Sequence, residues 1–191
     1  MPSFDVVERH ATVVSATPGH AYAVIRRIDL ARSVPIRFLF SLRGLAAIAR
    51  GRPVRRSWRL EDIIRAGFVL LAEEPGVEIV LGVVGRFWTP AGGLHRVAAG
   101  GFIGFDDPGF AKGVWNFRVD PMSGNRARIS TETRVHCTDD ASRRKFLRYW
   151  RLIGPFSGFI RSRALALVRA EIERERGWPA GNMAGKEVPP A

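Results

Sequence analysis

The stretch Arg126-Ala127-Arg128-Ile129-Ser130-Thr131-Glu132-Thr133-Arg134-Val135-His136-Cys137-Thr138-Asp139-Asp140 decides how the chain folds. Ile129, Thr131, Thr133 and Val135 fall on one side of an extended chain, and Glu132, Arg134 and His136 on the other. That is the pattern of a half-buried strand. The alternation then stops, and Thr138 or Asp139 caps a helix, with Asp139 and Asp140 near its positive end. The helix is expected to run to about Arg176. Phe146, Trp150 and Ile153 share a face, and Phe159, Ile160, Leu165, Leu167 and Ile172 continue the apolar content. Gly154-Pro155 inside it predicts a kink or a break, because Pro155 has no N–H to donate and its ring crowds the preceding turn.

Working backwards, Phe110 to Asp120 supplies the partner strand across the turn Pro121-Met122-Ser123-Gly124-Asn125. Trp115, Phe117 and Val119 fall on its apolar face, and Asn116 and Arg118 on the other. An earlier hairpin covers Gly67 to Glu74 and Val77 to Trp88, turning at Glu74-Pro75-Gly76. Its runs Phe68-Val69-Leu70-Leu71 and Ile79-Val80-Leu81 are nearly continuous, which suits strands covered on both faces or lining an apolar space. Pro90, Gly92 and Gly93 close it. The glycine-rich stretch from His95 to Gly109, with Phe102, Ile103 and Phe105, reads as a short strand or a loop.

At the start, Phe4 to Ser15 reads as a strand with a β-branched second half. Thr17-Pro18 follows as the cap and first residue of a helix whose stripe is Tyr22, Ile25 and Ile28, ending between Asp29 and Ser33. A second helix is expected over Ile36 to Ala49 on Phe38, Leu42, Leu45 and Ala49. Arg50 to Arg59 reads as an exposed loop, and Leu60 to Ala66 as one or two helical turns. The order is strand, helices, a run of antiparallel strands and a long terminal helix, hence α+β in one domain over residues 1–176. The tail at 177–191, rich in Pro and Gly, is expected to be disordered.

This order resembles the START-like superfamily, also called SRPBCC, which includes polyketide cyclases, aromatases and lipid-transfer domains. Thr12-Val13-Val14-Ser15-Ala16-Thr17-Pro18 looks like its first strand leading into a capped helix, and Ile129 to Val135 like its last strand feeding the long helix. Gly82-Val83-Val84-Gly85-Arg86-Phe87-Trp88 and Arg148-Tyr149-Trp150-Arg151 look like segments of uncharacterised bacterial members. The resemblance covers about 1–176. It implies a helix-grip fold, a curved sheet wrapped on the last helix with a cavity between them, and no universal catalytic residues.

Composition narrows the classes. The 191 residues carry a formal charge of +12, and all but three of the 30 basic residues are arginine. A basic excess points to anionic partners, yet an arginine skew with abundant Ala, Gly and Pro is also what GC-rich coding produces. Arg50, Arg52, Arg55, Arg56 and Arg59 fall within ten residues and keep the anionic-partner reading open. Cys137 is the single cysteine, so no disulfide framework arises. The beginning lacks a signal-peptide pattern and no apolar run approaches the roughly 18 residues of a bilayer span, so a cytoplasmic location is the expectation.

Candidate chemistry is sparse. His10, His20, His95 and His136 are scattered, without metal-ligand spacing, and no metal or cofactor is implied. Cys137 reads as a small buried residue at a strand end, and Ser130 and Ser157 have no evident base. Gly100-Gly101-Phe102-Ile103-Gly104 lacks what a phosphate loop needs. The arginine segment with Trp58 offers charge and stacking but no nucleic-acid reading module, so no specific nucleic-acid partner is expected. Glu132 and Arg134 read as a solvent-face pair.

The resemblance implies an apolar ligand site, for which Phe68, Leu70, Trp88, Trp115 and Trp150 would be walls, although core packing is the plainer reading of these side chains. Arg86, Thr131, Thr133 and Tyr149 would supply sparse hydrogen bonds. A carrier or sensor of a lipid, polyketide or similar molecule is the first hypothesis. An enzyme of the cyclase type, with Tyr149 or His10 as acid or base, is the second. A protein that meets an anionic membrane surface through its basic loop is the third.

Overall fold

The computed structural model describes residues 3–34, 57–89 and 93–177. The helix expected at 36–49, most of the arginine loop, Pro90, Gly92 and the tail beyond Gly177 lie outside the described residues. In chain order the elements are β1 (Val6–Val14), α1 (Pro18–Arg27), a 3-10 turn (Leu30–Arg32), α2 (Leu60–Arg65), β2 (Val69–Glu74), β3 (Glu78–Gly85), β4 (Leu94–His95), α3 (Ala99–Phe102), β5 (Ala111–Met122), β6 (Arg126–Cys137) and α4 (Asp140–Glu175). The strands form one antiparallel sheet in the order β1-β6-β5-β3-β2, and β4 pairs with β3 beyond the end of β2. The fold is α+β, with the sheet gripping the long C-terminal helix.

The β5–β6 hairpin bears out the alternation read from its sequence. Trp115 pairs with Thr133, Phe117 with Thr131 and Val119 with Ile129 on the inner face, while Asn116 faces Glu132 on the outer. The turn is tighter than expected, with Asn125 and Gly124 at positive φ (53° and 72°), so β5 continues through Pro121 and Met122. On β3, Ile79 and Leu81 join the core, and the outward side is covered as well. A Cβ on Gly82 would lie 2.8 Å from Leu71 Cδ1 and 2.9 Å from Phe102 Cε2, so the bare backbone is what lets α3 pack there. That double cover explains the continuous apolar run.

Thr17 caps α1, accepting from His20 N–H at 3.3 Å. Tyr22 on this helix donates its hydroxyl to Glu73 on β2; burial, then the carboxylate beside it, push the phenol up to about 12.

Asp139 caps α4. Its carboxylate accepts from the Ser142 N–H (2.8 Å), the Ser142 hydroxyl (2.7 Å) and the Gly109 N–H. These bonds, led by the Ser142 N–H, hold the carboxyl well below the usual carboxylate range. A folded-state value depressed in this way contributes stability present above the unfolded pKa of about 3.9 and lost as pH falls through the folded value. Asp139→Asn is therefore expected to melt with a shallower fall between about pH 4 and pH 2 than the native chain, measured by circular dichroism.

α4 runs unbroken through Pro155. Of the two outcomes expected there, a break does not occur. Pro155 and Arg151 both lie on the exposed side of the helix, where solvent can satisfy the Arg151 carbonyl that loses its donor. The inner stripe of α4 is Phe146, Trp150, Ser157, Arg161, Leu165, Val168 and Ile172. Its two ends belong to separate apolar clusters, one around Ala111, Val135, Cys137 and Phe146, the other joining α1, α2, β3, β5 and the last turns of α4. Between them the stripe is polar.

Candidate functional site

An apolar recess opens where the end of α1, the 3-10 turn and α2 meet the inner face of β3 and β5. Ile25, Ile28 and Leu30 form one side, Trp58, Leu60 and Ile63 another, and Ile79, Leu81, Trp115 and Phe117 the floor. It encloses a void of about 20 Å³, roughly one water molecule, within about 350 Å³ of empty space that includes open solvent. A cavity between sheet and C-terminal helix was the expectation. The residues that line the recess come instead from the sheet and the N-terminal half of the chain.

Asp29 holds this wall together. Its Oδ1 accepts from the Ala31 N–H (2.9 Å) and the Trp58 N–H (2.8 Å), and Leu30 N–H donates to the Trp58 carbonyl at 3.3 Å. One side chain thus caps the 3-10 turn and clips Trp58 beside it. Asp29→Ala is expected to lower stability by about 1 kcal/mol, as loss of a cap does, and to red-shift tryptophan emission as Trp58 loosens.

The space under α4 is occupied by side chains. On β1, Glu8 and His10 face inward, opposite Thr133 and Thr131. His10 hydrogen-bonds Glu8 Oε1 (3.1 Å) through Nε2 and Ser162 Oγ (3.2 Å) through Nδ1. Arg161 reaches down from α4, donating Nε to Thr133 Oγ1 at 2.8 Å and Nη1 to the Ser157 carbonyl (3.0 Å) and hydroxyl. Its Nη1 lies 3.5 Å from Glu8 Oε2, a buried oxygen without a hydrogen bond of its own. Burial lowers the Arg161 pKa, against the opposing pull of Glu8, but a guanidinium stays charged in any case. Gly158 leaves the gap this cluster needs, since a Cβ there would collide with Glu8 Oε1.

The residues expected at the site therefore separate. Trp115 forms part of the recess floor, and Phe68 and Leu70 pack against the same cluster. Trp88, Tyr149 and Trp150 pack at the other end of the sheet with Phe146. Thr131 accepts from Trp115 Nε1 (2.8 Å) and donates to the Asn116 carbonyl (2.7 Å), and Thr133 is taken by Arg161, so both hydroxyls are engaged internally. Arg86 is exposed, its guanidinium 4.6 Å over the Phe110 ring. Glu132, on the outer face, accepts from Arg9 (2.5 Å) and Arg134. Cys137 is buried, and burial followed by Asp5 pushes its thiol up to about 12, unsuited to nucleophilic work. Sequence reasoning did not single out Asp29, Glu8 or Arg161; the place of Arg161 on the stripe Phe146, Trp150, Leu165 and Val168 was the available signal.

No family model matches the chain, and no curated protein matches it. Among solved structures it is similar to the crystal structure of Zhui aromatase/cyclase from Streptomyces sp. R1128, 14% identical over 93% of this chain and 99% of that one, with a TM-score of 0.33. A likeness at that score says nothing about the site, and the chain's own residues decide how it is read.

Proposed function

We propose that the chain binds an apolar small molecule, such as a lipid or a polyketide, as a carrier or sensor, in the recess between α1, α2 and the sheet. One observation carries this reading: ten apolar side chains, two of them tryptophans, converge on a recess that opens to solvent, and among the described residues none that lines it is charged. The order of elements suits the START-like resemblance, whose members enclose such ligands. The enclosed void holds about one water molecule, so a ligand seated there has to displace Trp58 and α2 from the floor. The carrier reading is preferred because the lining side chains among the described residues are all apolar.

Thermal melts with palmitate, an isoprenoid quinone and an aromatic polyketide test the reading. A bound probe at a hundredfold excess over its Kd stabilises by about 2.7 kcal/mol. Ile63→Trp, which fills the recess, is expected to abolish that gain. Stabilisation that survives Ile63→Trp, or none from any probe, would overturn the proposal.

A further inference from the structure

α4 carries a second apolar row on the side away from the sheet. Leu152, Phe156 and Phe159 are 69%, 47% and 40% exposed. Steps of four and three place them on one face of the helix, opposite Trp150, Ser157 and Arg161, which face the sheet. Single exposed hydrophobes are ordinary, but three large ones in register on one helix make a patch.

The charge around this row is of one sign. From Ala141 to Ala170 the sequence contains no acidic residue and eight basic ones. Three of the eight bind carboxylates elsewhere: Arg143 with Asp5, Arg161 with Glu8 and Arg169 with Glu173. Arg144, Lys145, Arg148, Arg151 and Arg163 are exposed and take no acidic partner among the described residues. Arg163 lies 5.2 Å over the Phe159 ring, joining the cationic rim to the apolar row.

That pairing of features selects an occupant. A second copy docked by a two-fold axis would set this cationic face against itself. A nucleic acid would satisfy the arginines but leave Leu152 against a charged backbone. An anionic bilayer surface answers both, because headgroups take the cations while the headgroup–acyl boundary takes Leu and Phe. We infer that the outer face of α4 from Arg144 to Arg163 docks peripherally on an anionic lipid surface, with Leu152, Phe156 and Phe159 entering the boundary region. No helix among the described residues is long and apolar enough to cross a membrane, so the contact lies in the plane of the surface.

The test is co-sedimentation of the full chain with phosphatidylcholine vesicles, with and without phosphatidylglycerol. Binding is expected only to the anionic vesicles, weakening as salt rises. Phe156→Ser/Phe159→Ser and Arg148→Glu/Arg151→Glu are each expected to reduce partitioning about tenfold or more. All four side chains are exposed, so melting temperatures should hold; should a double variant melt early, Leu152→Ser alone gives the same readout. The proposal falls if both vesicle types bind equally, if neither pair of substitutions weakens binding, if a DNA oligonucleotide binds in place of vesicles, or if the face instead drives a dimer that Phe156→Ser/Phe159→Ser dissolves. Palmitate stabilisation measured on the same samples reads the recess separately.

Discussion

Arg161→Ala is expected to destabilise the chain by about 3–5 kcal/mol, the cost of stripping one partner from a buried ion pair. For a chain of this size that lowers the melting temperature by roughly 2–4 °C per kcal/mol. The guanidinium holds α4 to the sheet at the one level where the helix offers no apolar side chain inward. Without it, Glu8 Oε2 is buried with neither hydrogen bond nor cation, and Thr133 and Ser157 lose their donor. The penalty therefore comes from what is left behind more than from the pair itself. Glu8→Leu/Arg161→Met should recover much of the loss, because a buried pair replaced by apolar groups of similar volume is often neutral. A single-variant cost below about 1 kcal/mol, as for a solvent-screened pair, would contradict this account of the grip.

Phe146→Ala is the second large effect, expected at about 3–5 kcal/mol for a fully buried aromatic. Phe146 is 1% exposed, and its ring lies 5.6–6.3 Å from those of Phe87, Tyr149 and Trp150. It is the centre of the smaller cluster, which secures the first half of α4 independently of the larger one. Denaturant melts should show a lower midpoint. Phe146→Leu, which keeps most of the volume, should lose less than half as much.

The two substitutions mark where the sequence was and was not readable. Phe146 was legible because an aromatic at helical spacing from Trp150 and Ile153 has a single physical destination. The β5–β6 hairpin was legible for the same reason, since Trp115, Phe117, Val119 and Ile129 contrast with Asn116, Arg118 and Arg128. Strand β1 offers no such contrast. Glu8, His10 and Thr12 point inward, whereas Ala11 and the 38%-exposed Val13 point out. The inner face is polar there because Arg161 is its partner, and that contact spans more than 150 positions. A charged residue on a helix is by default solvated, so neither half of the pair announces the other.

The recess was half legible. Trp115 and the apolar character of β3 followed from local pattern. The other wall depends on Asp29 meeting Trp58, a contact made by one carboxylate and one backbone N–H 29 positions apart, which no local pattern signals. The expectation of a cavity beneath α4 gives way on a point of packing: Glu8, His10, Ser157 and Arg161 fill that space.

An apolar molecule entering the recess between α1, α2 and the sheet would touch the methyl groups that line it. Methyl-resolved NMR of the full chain titrated with palmitate tests this most directly. The methyl signals of Ile25, Ile28, Leu30, Leu60, Ile63, Ile79 and Leu81 are expected to shift together and saturate at one equivalent. If these signals stay in place, or if only Leu147, Leu152 and Ile153 on α4 respond, the recess is not the binding site.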